Sequence, residues 1–285
     1  MRTQFRLDPR GGSNRYKFKV DFFKKWSNKM AYVLGFLYAD GNVTDATKSS
    51  RTQYIKFSSK DKDILYAIKK ALKSDYPISF EPPRKNLHRN GIYKSSGLFN
   101  LRIGSKEMFL DLRKIGVVTN KSKVIEFPTY LPNKYLSYFV RGYFDGDGSV
   151  VFNKKKWIRV VFTSGSKHFL EQLSTKLSKI LKIRKRPVCL SHYSYQLYYF
   201  TQEGLKILNF IYGNAKIDKL YLRRKYRFYK ILSVKYDYIL DKYIKQVAAY
   251  PSSLRECSAK ALYVGANPTA ASKKFAAVAE LALRE

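Results

Sequence analysis

Two aspartates in closely similar surroundings are the residues of this chain best suited to chemistry. Asp40 lies in the stretch VLGFLYADG at residues 33–41, and Asp147 lies in VRGYFDGDG at residues 140–148, so one nine-residue pattern occurs twice at a spacing of 107 residues. Two carboxylates that are brought together repel each other unless a cation lies between them, and a hard divalent metal ion suits oxygen ligands. The repeat therefore indicates a metal-binding pair, provided that the fold joins the two stretches.

The spacing of small residues within each stretch predicts how the two acids are brought together. Residues four apart lie on one face of a helix, and small side chains on that face let two helix backbones approach closely. The predicted interface consists of these four small residues: Gly35, Ala39, Gly142 and Gly146. Gly41 and Gly148 are expected to take the left-handed conformation that ends a helix, which would hold Asp40 and Asp147 side by side.

The two stretches resemble the two motifs of a single-chain LAGLIDADG homing endonuclease. The catalytic acid of that family is the eighth letter of the motif, which falls on Asp40 and Asp147. The resemblance covers about residues 31–232 and implies an α+β fold. In that fold two pseudo-twofold related αββαββα halves pair their motif helices at the centre, and antiparallel β-ribbons form a DNA-binding saddle.

The resemblance also implies a function and a set of site residues. It implies a metal-dependent DNA endonuclease, a phosphodiester hydrolase that cuts both strands of a long pseudo-palindromic site. The backbone carbonyls of Ala39 and Gly146 would face the metal beside the two acids. Mg²⁺ is expected, and Mn²⁺ or Ca²⁺ could replace it for binding. Lys121 and Lys225 are the candidate catalytic lysines, with Lys123 and Lys219 as close competitors.

Hydrophobic periodicity predicts the same order of elements in both halves. The first half is predicted to contain helices and strands at residues 26–39, 51–59, 61–72, 77–84, 97–103 and 106–115, with a basic loop at 85–90. The strand at 158–164 matches the one 105 residues earlier, with Val160 on Ile55 and Phe162 on Phe57. A helix at 168–181, a hairpin at 183–190 and 193–201, and a basic helix at 216–232 follow. Gly91–Tyr93, a GIY triplet, is interpreted as strand sequence.

The chain is predicted to divide into five parts. They are a basic arm at 1–25, a first half at 26–116, a linker at 117–132, a second half with a basic C-terminal helix at 133–245, and a tail at 246–285. The tail contains 11 alanines in 40 residues, and no function is assigned to it.

Charged and aromatic side chains on the outer faces of the strands are the candidate DNA contacts. A two-stranded ribbon fits the major groove, where base edges can be read by polar side chains. A Gln that some members of the family carry near the end of the first such strand is replaced here by Ser59 and Ser164. The candidate contacts are Tyr54, Lys56, Arg102, Arg159, Arg184 and Arg186.

The composition predicts that the protein binds a polyanion. The chain contains 56 Lys+Arg and 21 Asp+Glu, a formal net charge of +35. Nucleic acid is favoured over a membrane because the longest apolar run, at 30–39, is too short to span a bilayer. Cys189 and Cys257 are too few for a disulfide framework, and the three histidines lack metal-ligand spacing. A reducing location with access to DNA is therefore expected, either the cytoplasm or an organellar matrix, and not secretion.

Several functions remain open on this evidence. The favoured one is a monomeric endonuclease encoded by an intron or other mobile element. Its main rival is a non-cleaving nucleic-acid binder on the same fold, either an intron RNA maturase or a DNA-binding regulator. Two like charges at a crowded interface argue against pure binding but allow a protein that binds both DNA and intron RNA. A packaging protein would explain the charge and not the motifs. An intein is disfavoured, because the chain lacks the initial nucleophile and the final His-Asn.

Overall fold

The chain folds into two halves of the same architecture that pack through one central helix from each. The computed structural model describes residues 16–47, 52–88, 91–94, 96–119, 124–128, 130–152 and 158–234. Among these residues, no helix is long and apolar enough to cross a membrane.

The first half begins with the first motif helix. The elements of this half are α1 (Asn28–Asp40), β1 (Gly41–Ala46), β2 (Thr52–Ser59), α2 (Lys62–Ala71), β3 (Ile78–Glu81), β4 (Lys85–His88), β5 (Gly91–Lys94), β6 (Leu98–Gly104) and α3 (Lys106–Lys114). Four strands form an antiparallel sheet in the order β1-β2-β6-β3. The other two, β4 and β5, form a separate two-stranded ribbon.

The second half repeats this arrangement after a 3-10 turn at Asn133–Tyr135. The elements of this half are α4 (Leu136–Asp147), β7 (Gly148–Phe152), β8 (Ile158–Ser164), α5 (Lys167–Leu181), β9 (Val188–Ser191), β10 (Ser194–Phe200), α6 (Thr201–Tyr212), α7 (Ala215–Asp218) and α8 (223–234). The four strands form a sheet in the order β7-β8-β10-β9. The predicted α+β fold with two related halves is confirmed.

The alternating strands bury matching residues in the two halves. Ile55 and Phe57 of β2 are buried, as are Val160 and Phe162 at the corresponding positions of β8. Because successive side chains of a strand point to opposite faces, each sheet packs one face on its helices and exposes polar side chains on the other. The central strands therefore support the motif helices from one side.

Serine side chains start three of the helices as N-caps. Ser27, Ser105 and Ser166 each accept a hydrogen bond from the backbone N–H three residues later, at the starts of α1, α3 and α5. Such a cap satisfies one of the N–H groups that a helix start leaves without a partner.

Two local predictions are wrong. Gly41 (φ −106°) and Gly148 (φ −87°) are extended and not left-handed. Each motif helix continues directly into a strand, β1 or β7, so the chain does not reverse at the glycine. The expected loop at 85–90 begins with β4, which pairs with β5, and the GIY triplet lies in β5 as predicted.

The predicted N-terminal arm is packed where the structure describes it. Phe18, Phe22 and Phe23 are buried in the hydrophobic core. The Lys19 amide donates to the Leu72 carbonyl at 2.8 Å, beside the end of α2. Three aromatic side chains are too apolar to remain in solvent, which is why this segment joins the first half. Residues 1–15 and the tail at 246–285 lie outside the described residues.

The C-terminal half also departs from prediction at two points. The later hairpin begins at Val188, five residues after the expected start, so Arg184 and Arg186 precede the strand. The single helix expected at 216–232 is divided into α7 and α8, because Lys219 takes a left-handed conformation with φ +56°.

Candidate active site

The two motif helices touch through their glycines. A Cβ placed on Gly35 would overlap the carbonyl oxygen of Phe139, and one placed on Gly142 would overlap that of Tyr32. The reciprocal pattern means that α1 and α4 cross backbone to backbone, with no space for a side chain at either glycine. The structure therefore brings the predicted interface residues together.

Nearer the helix ends, the contact continues towards the two acids. A Cβ on Gly146 would meet the Cβ of Ala39 and would lie 3.2 Å from Oδ2 of Asp40. The carboxylate of Asp40 thus lies beside the backbone of the residue that precedes Asp147. Both acids are exposed, at the ends of α1 and α4.

The negative charges of Asp40 and Asp147 both act on two neighbouring side chains, Tyr143 and Lys225. Burial raises the pKa of the Tyr143 hydroxyl well above its usual value, and the charges of Asp147 and Asp40 raise it further. Both carboxylates also act on Lys225, whose pKa they raise. Two negative charges near the negative ends of two helices create a strong requirement for a cation at this place.

Lys225 of α8 supplies a cation to the end of α4. Its Nζ donates to the carbonyl oxygens of Phe144 (2.5 Å), Asp145 (2.8 Å) and Gly148 (2.5 Å), and lies 3.5 Å from that of Gly146. Because a helix leaves its last carbonyls without intrahelical donors, a buried ammonium at this end is favourable. Burial lowers the pKa of Lys225 to about 8, against Asp145, Asp40 and Asp147, which raise it.

A second acid of the motif, Asp145, is buried on the other side of α4. Its carboxylate accepts hydrogen bonds from the Tyr32 hydroxyl at 2.6 Å, the Tyr212 hydroxyl and the Leu222 amide at 2.9 Å. Burial raises the pKa of Asp145, while Lys225 and these donors lower it. Sequence reasoning missed this site. The available signal was the difference between the two motifs, since the first has Tyr38 where the second has Asp145.

Arg141 and Asp218 form a buried ion pair in the same half. The Arg141 guanidinium binds the Asp218 carboxylate at 2.6 Å and donates to the Ile211 carbonyl at 3.1 Å. Together, Arg141, Lys225, Asp145 and Asp218 balance two positive and two negative charges inside the second half. This balance reduces the cost of burying them.

The donor set at the helix ends fits a hard metal ion. Among the described residues, no group of three or more His, Cys, Asp or Glu could hold a metal. Asp40, Asp147 and the carbonyl oxygens beside them are oxygen donors, the kind of ligand that Mg²⁺ takes together with waters and substrate phosphates. The Gly146 carbonyl lies 3.5 Å from Nζ of Lys225, and a metal-facing role for the Ala39 and Gly146 carbonyls stays a prediction.

The other lysines and the two serines singled out from the sequence differ in where they lie. Lys121 and Lys123 lie outside the described residues. Lys219 lies in the turn between α7 and α8 and is exposed. The Ser59 and Ser164 hydroxyls are buried and accept from the amides of Asp61 and Ser166, so they fix the turns after β2 and β8.

Four of the six candidate DNA contacts lie on the polar face of the sheets. Arg102 stacks on Tyr54, with its guanidinium carbon 3.7 Å from the ring centroid, and is paired in register with Lys56. Lys56 lies 4.0 Å from Glu81. Arg159 lies over the Tyr198 ring at 5.0 Å in the second sheet. These side chains form one cationic and aromatic surface on each sheet.

The other two candidates are not on a strand. Arg184 is exposed before β9. Arg186 binds Glu203 of α6 through two nitrogens, at 2.8 and 2.7 Å, and is only partly exposed. Its role as a DNA contact stays a prediction, and in the structure its guanidinium is bound by a carboxylate from the adjacent helix.

Comparison with known proteins supports a family for part of the chain. The sequence profile of the LAGLIDADG-like domain matches residues 134–213. The DNA-directed RNA polymerase subunit Rpo1C of Methanocaldococcus jannaschii is 28% identical over 166 residues, which are 58% of this chain and 16% of that protein. The DNA polymerase II large subunit of Thermococcus kodakarensis is 28% identical over 155 residues, 53% of this chain and 8% of that protein. The chain thus spans less than a fifth of the length of these curated relatives.

Solved structures of similar chains include two homing endonucleases bound to DNA. I-WcaI with its recognition sequence has 19% sequence identity and a TM-score of 0.49, over 71% of this chain and 87% of that one. I-LtrWI with target DNA has 14% identity and a TM-score of 0.44, over 78% and 92%. The resemblance drawn from the nonapeptides is confirmed for residues 134–213, which match the LAGLIDADG-like domain and contain the second motif.

Proposed function

We propose that the protein is a site-specific, double-strand DNA endonuclease of the homing type that depends on a divalent metal ion, with Mg²⁺ as the natural ion. The observation that carries this proposal is the position of Asp40 beside the Gly146 backbone, next to Asp147, at the ends of two helices in direct contact. Two exposed carboxylates at a tight pseudo-twofold axis repel each other, and a bound divalent cation would relieve that repulsion.

Each part of the site has a role in this proposal. Asp40 and Asp147 would hold the metal with the Ala39 carbonyl, and a bound divalent ion would activate water and stabilise charge on the leaving oxygen. Lys225 holds the last carbonyls of α4 in place and adds positive charge close to where a phosphate would lie. Because each acid belongs to one half, each strand of a duplex would meet one of them.

The sheets would supply recognition. The surfaces around Tyr54, Lys56 and Arg102 in one half, and Arg159 and Tyr198 in the other, carry donors and aromatic rings that suit base edges and phosphates. The two surfaces differ in sequence, so the target would be long and only approximately palindromic. The formal charge of +35 supports a duplex as the partner.

The biological setting is part of the proposal. Two halves in one chain favour a monomer. The two polymerase subunits that match this chain are different proteins, and the similarity covers only a small part of each. A mobile segment would leave this pattern. An intron-encoded protein acting in a reducing compartment with DNA fits these features.

The test is cleavage of a duplex carrying the uninterrupted host locus. We expect a double-strand break in Mg²⁺ and none in EDTA, and loss of the break when Asp40 and Asp147 are both changed to Asn. Specific binding of the duplex without cleavage in Mg²⁺ or Mn²⁺ would instead indicate a regulator, and specific binding of the intron transcript alone would indicate a maturase.

A further inference from the structure

The buried carboxylate of Asp145 joins three elements that carry the site. Tyr32 belongs to α1 of the first half, Tyr212 ends α6, and the Leu222 amide lies directly before α8, and all three donate to this carboxylate. The side chain is 1% exposed. A carboxylate that accepts three hydrogen bonds in a buried setting has one stable orientation.

The contact with Leu222 fixes the start of α8. Leu222 directly precedes the helix, and its amide is one of the N–H groups that a helix start leaves unsatisfied. A negative charge at that end is also favourable for the helix dipole. Asp145 therefore determines both where α8 begins and how it is aligned against α4.

Lys225 lies three residues further along, within the first turn of α8. The Leu222 amide and the Lys225 side chain thus face the same stretch of α4, and Nζ of Lys225 donates to the Asp145 carbonyl at 2.8 Å. Asp145 consequently holds α8 through its side chain and holds the ammonium through its main chain. The result is an ammonium fixed at the end of α4, where the charges of Asp40 and Asp147 both act on it.

The first half takes part in this arrangement. Tyr32 lies on the same helix as Asp40, and its hydroxyl reaches across the helix pair. Two ion pairs also connect α8 to the start of α2, Arg224 with Asp61 and Arg223 with Asp63, each at 3.1 Å. The position of α8 therefore depends on the docking of the two halves.

We propose that Asp145 is a positioning residue for the cleavage reaction. Its carboxylate, held by Tyr32 and Tyr212, orients α8 so that the Lys225 ammonium stays at the end of the second motif helix. This proposal rests on the proposed function for the role of Lys225, and it does not require Asp145 to touch DNA or metal.

A double-mutant cycle separates positioning from a general effect on stability. Single-turnover cleavage at saturating protein is measured for the wild type, Asp145→Asn, Lys225→Met and the double variant, together with duplex affinity. We expect Asp145→Asn to lower the rate constant about ten-fold or more with affinity nearly unchanged, and to cause almost no further loss in the Lys225→Met background. An equal loss in both backgrounds, or no loss from Asp145→Asn alone, would overturn the proposal.

A milder pair of variants protects the test against misfolding. Tyr32→Phe removes one donor to Asp145 and should lower the rate constant several-fold. Tyr199→Phe is the matched control, since Tyr199 is also fully buried but its hydroxyl faces Ser174 of α5. Equal effects of these two changes on the rate would count against the role of Asp145.

A measurement without DNA keeps this proposal distinct from the proposed function. Amine-reactive labelling, followed by mass spectrometry of the full chain, reports the accessibility of Lys225. We expect Lys225 to label several-fold faster in Asp145→Asn and Tyr32→Phe than in the wild type and Tyr199→Phe, at temperatures where all four are folded. Unchanged labelling would refute the positioning role. If the wild type does not cut DNA but the labelling changes as expected, only the proposed function fails.

Discussion

At the scale of single residues, a buried ionisable group leaves a measurable signature in stability. Burial of the Tyr199 hydroxyl raises its pKa from 10.0 to about 12, an effect that exceeds the lowering by Ser174 and Arg186. Between pH 10 and 12 the unfolded chain ionises this tyrosine while the folded chain keeps it protonated, so the folded state binds more protons and loses stability as the pH rises.

The corresponding prediction concerns Tyr199→Phe. The difference in unfolding free energy between the wild type and this variant should be constant below pH 10 and should shift by about 2–3 kcal/mol in favour of the variant by pH 12. Denaturant unfolding at intervals of half a pH unit measures it. A difference that does not vary with pH would mean that the hydroxyl ionises as readily in the folded protein as in the unfolded chain.

The sequence predicted the two exposed acids as functional residues but did not predict the buried acid, Asp145. Asp40 and Asp147 are found from the sequence because both stand at the same place in a repeated local pattern. Asp145 is defined by partners that lie up to 113 residues away in the chain. Similarly, Arg186 alternates like a strand residue, but Glu203 of a later helix takes its guanidinium.

At the scale of elements, the close crossing of α1 and α4 gives a prediction about glycine. Gly35→Ala should destabilise the protein by about 2 kcal/mol or more, because the added Cβ would overlap the Phe139 carbonyl and force the helices apart. The melting temperature and the affinity for duplex DNA should fall together, because the two sheets would no longer be held at their proper spacing.

Gly204→Ala is the matched control for that change. Gly204 is also in a helix, but its Cβ would lie 3.0 Å from Cγ2 of Val160 and 3.2 Å from the Tyr199 carbonyl oxygen, so its neighbours need to move far less than at Gly35, where the added Cβ would overlap the Phe139 carbonyl oxygen. Alanine is also the better helix former by about 0.5–1 kcal/mol. A melting temperature that falls as far for Gly204→Ala as for Gly35→Ala would contradict the account of the helix pair.

Helices and central strands were predictable because their signals are local. Apolar spacing and the Ser27 cap place α1, and alternation places β2 and β8. The conformations of Gly41 and Gly148 were not predictable in this way, because a helix that passes straight into a strand needs no left-handed residue. These glycines instead leave no space for a Cβ against Leu37 and Phe144. The break at Lys219 likewise depends on Asp218 being held by Arg141.

At the scale of the whole molecule, the charge of +35 dominates the expected interaction with DNA. Association with a duplex should release many condensed counterions, so affinity should fall by about 1,000-fold or more between roughly 50 and 200 mM salt. Binding titrations of a specific and an unrelated duplex at several salt concentrations measure the slope. An affinity that barely changes over this range would exclude a long footprint on the phosphate backbone.

The duplicated architecture as a whole was predictable because the internal repeat extends from the motifs to the strands and helices that follow. The packing of residues 16–25 against the first half was harder to predict. Basic residues surround Phe18, Phe22 and Phe23, so the composition of the segment is that of a polar arm. Burial of the three phenylalanines completes the core at the end of α2.

Asp40 and Asp147 are proposed to form one metal-dependent catalytic pair, and paired measurements of cleavage and binding on one cognate duplex decide whether they do. In Mg²⁺, Asp40→Asn and Asp147→Asn should each lose double-strand cleavage almost completely. Asparagine keeps the shape of aspartate but removes an anionic ligand. Affinity for the duplex should stay the same or rise, because repulsion between the acid and the DNA phosphates is removed. Cleavage of both strands at near wild-type rates by either variant would contradict the assignment.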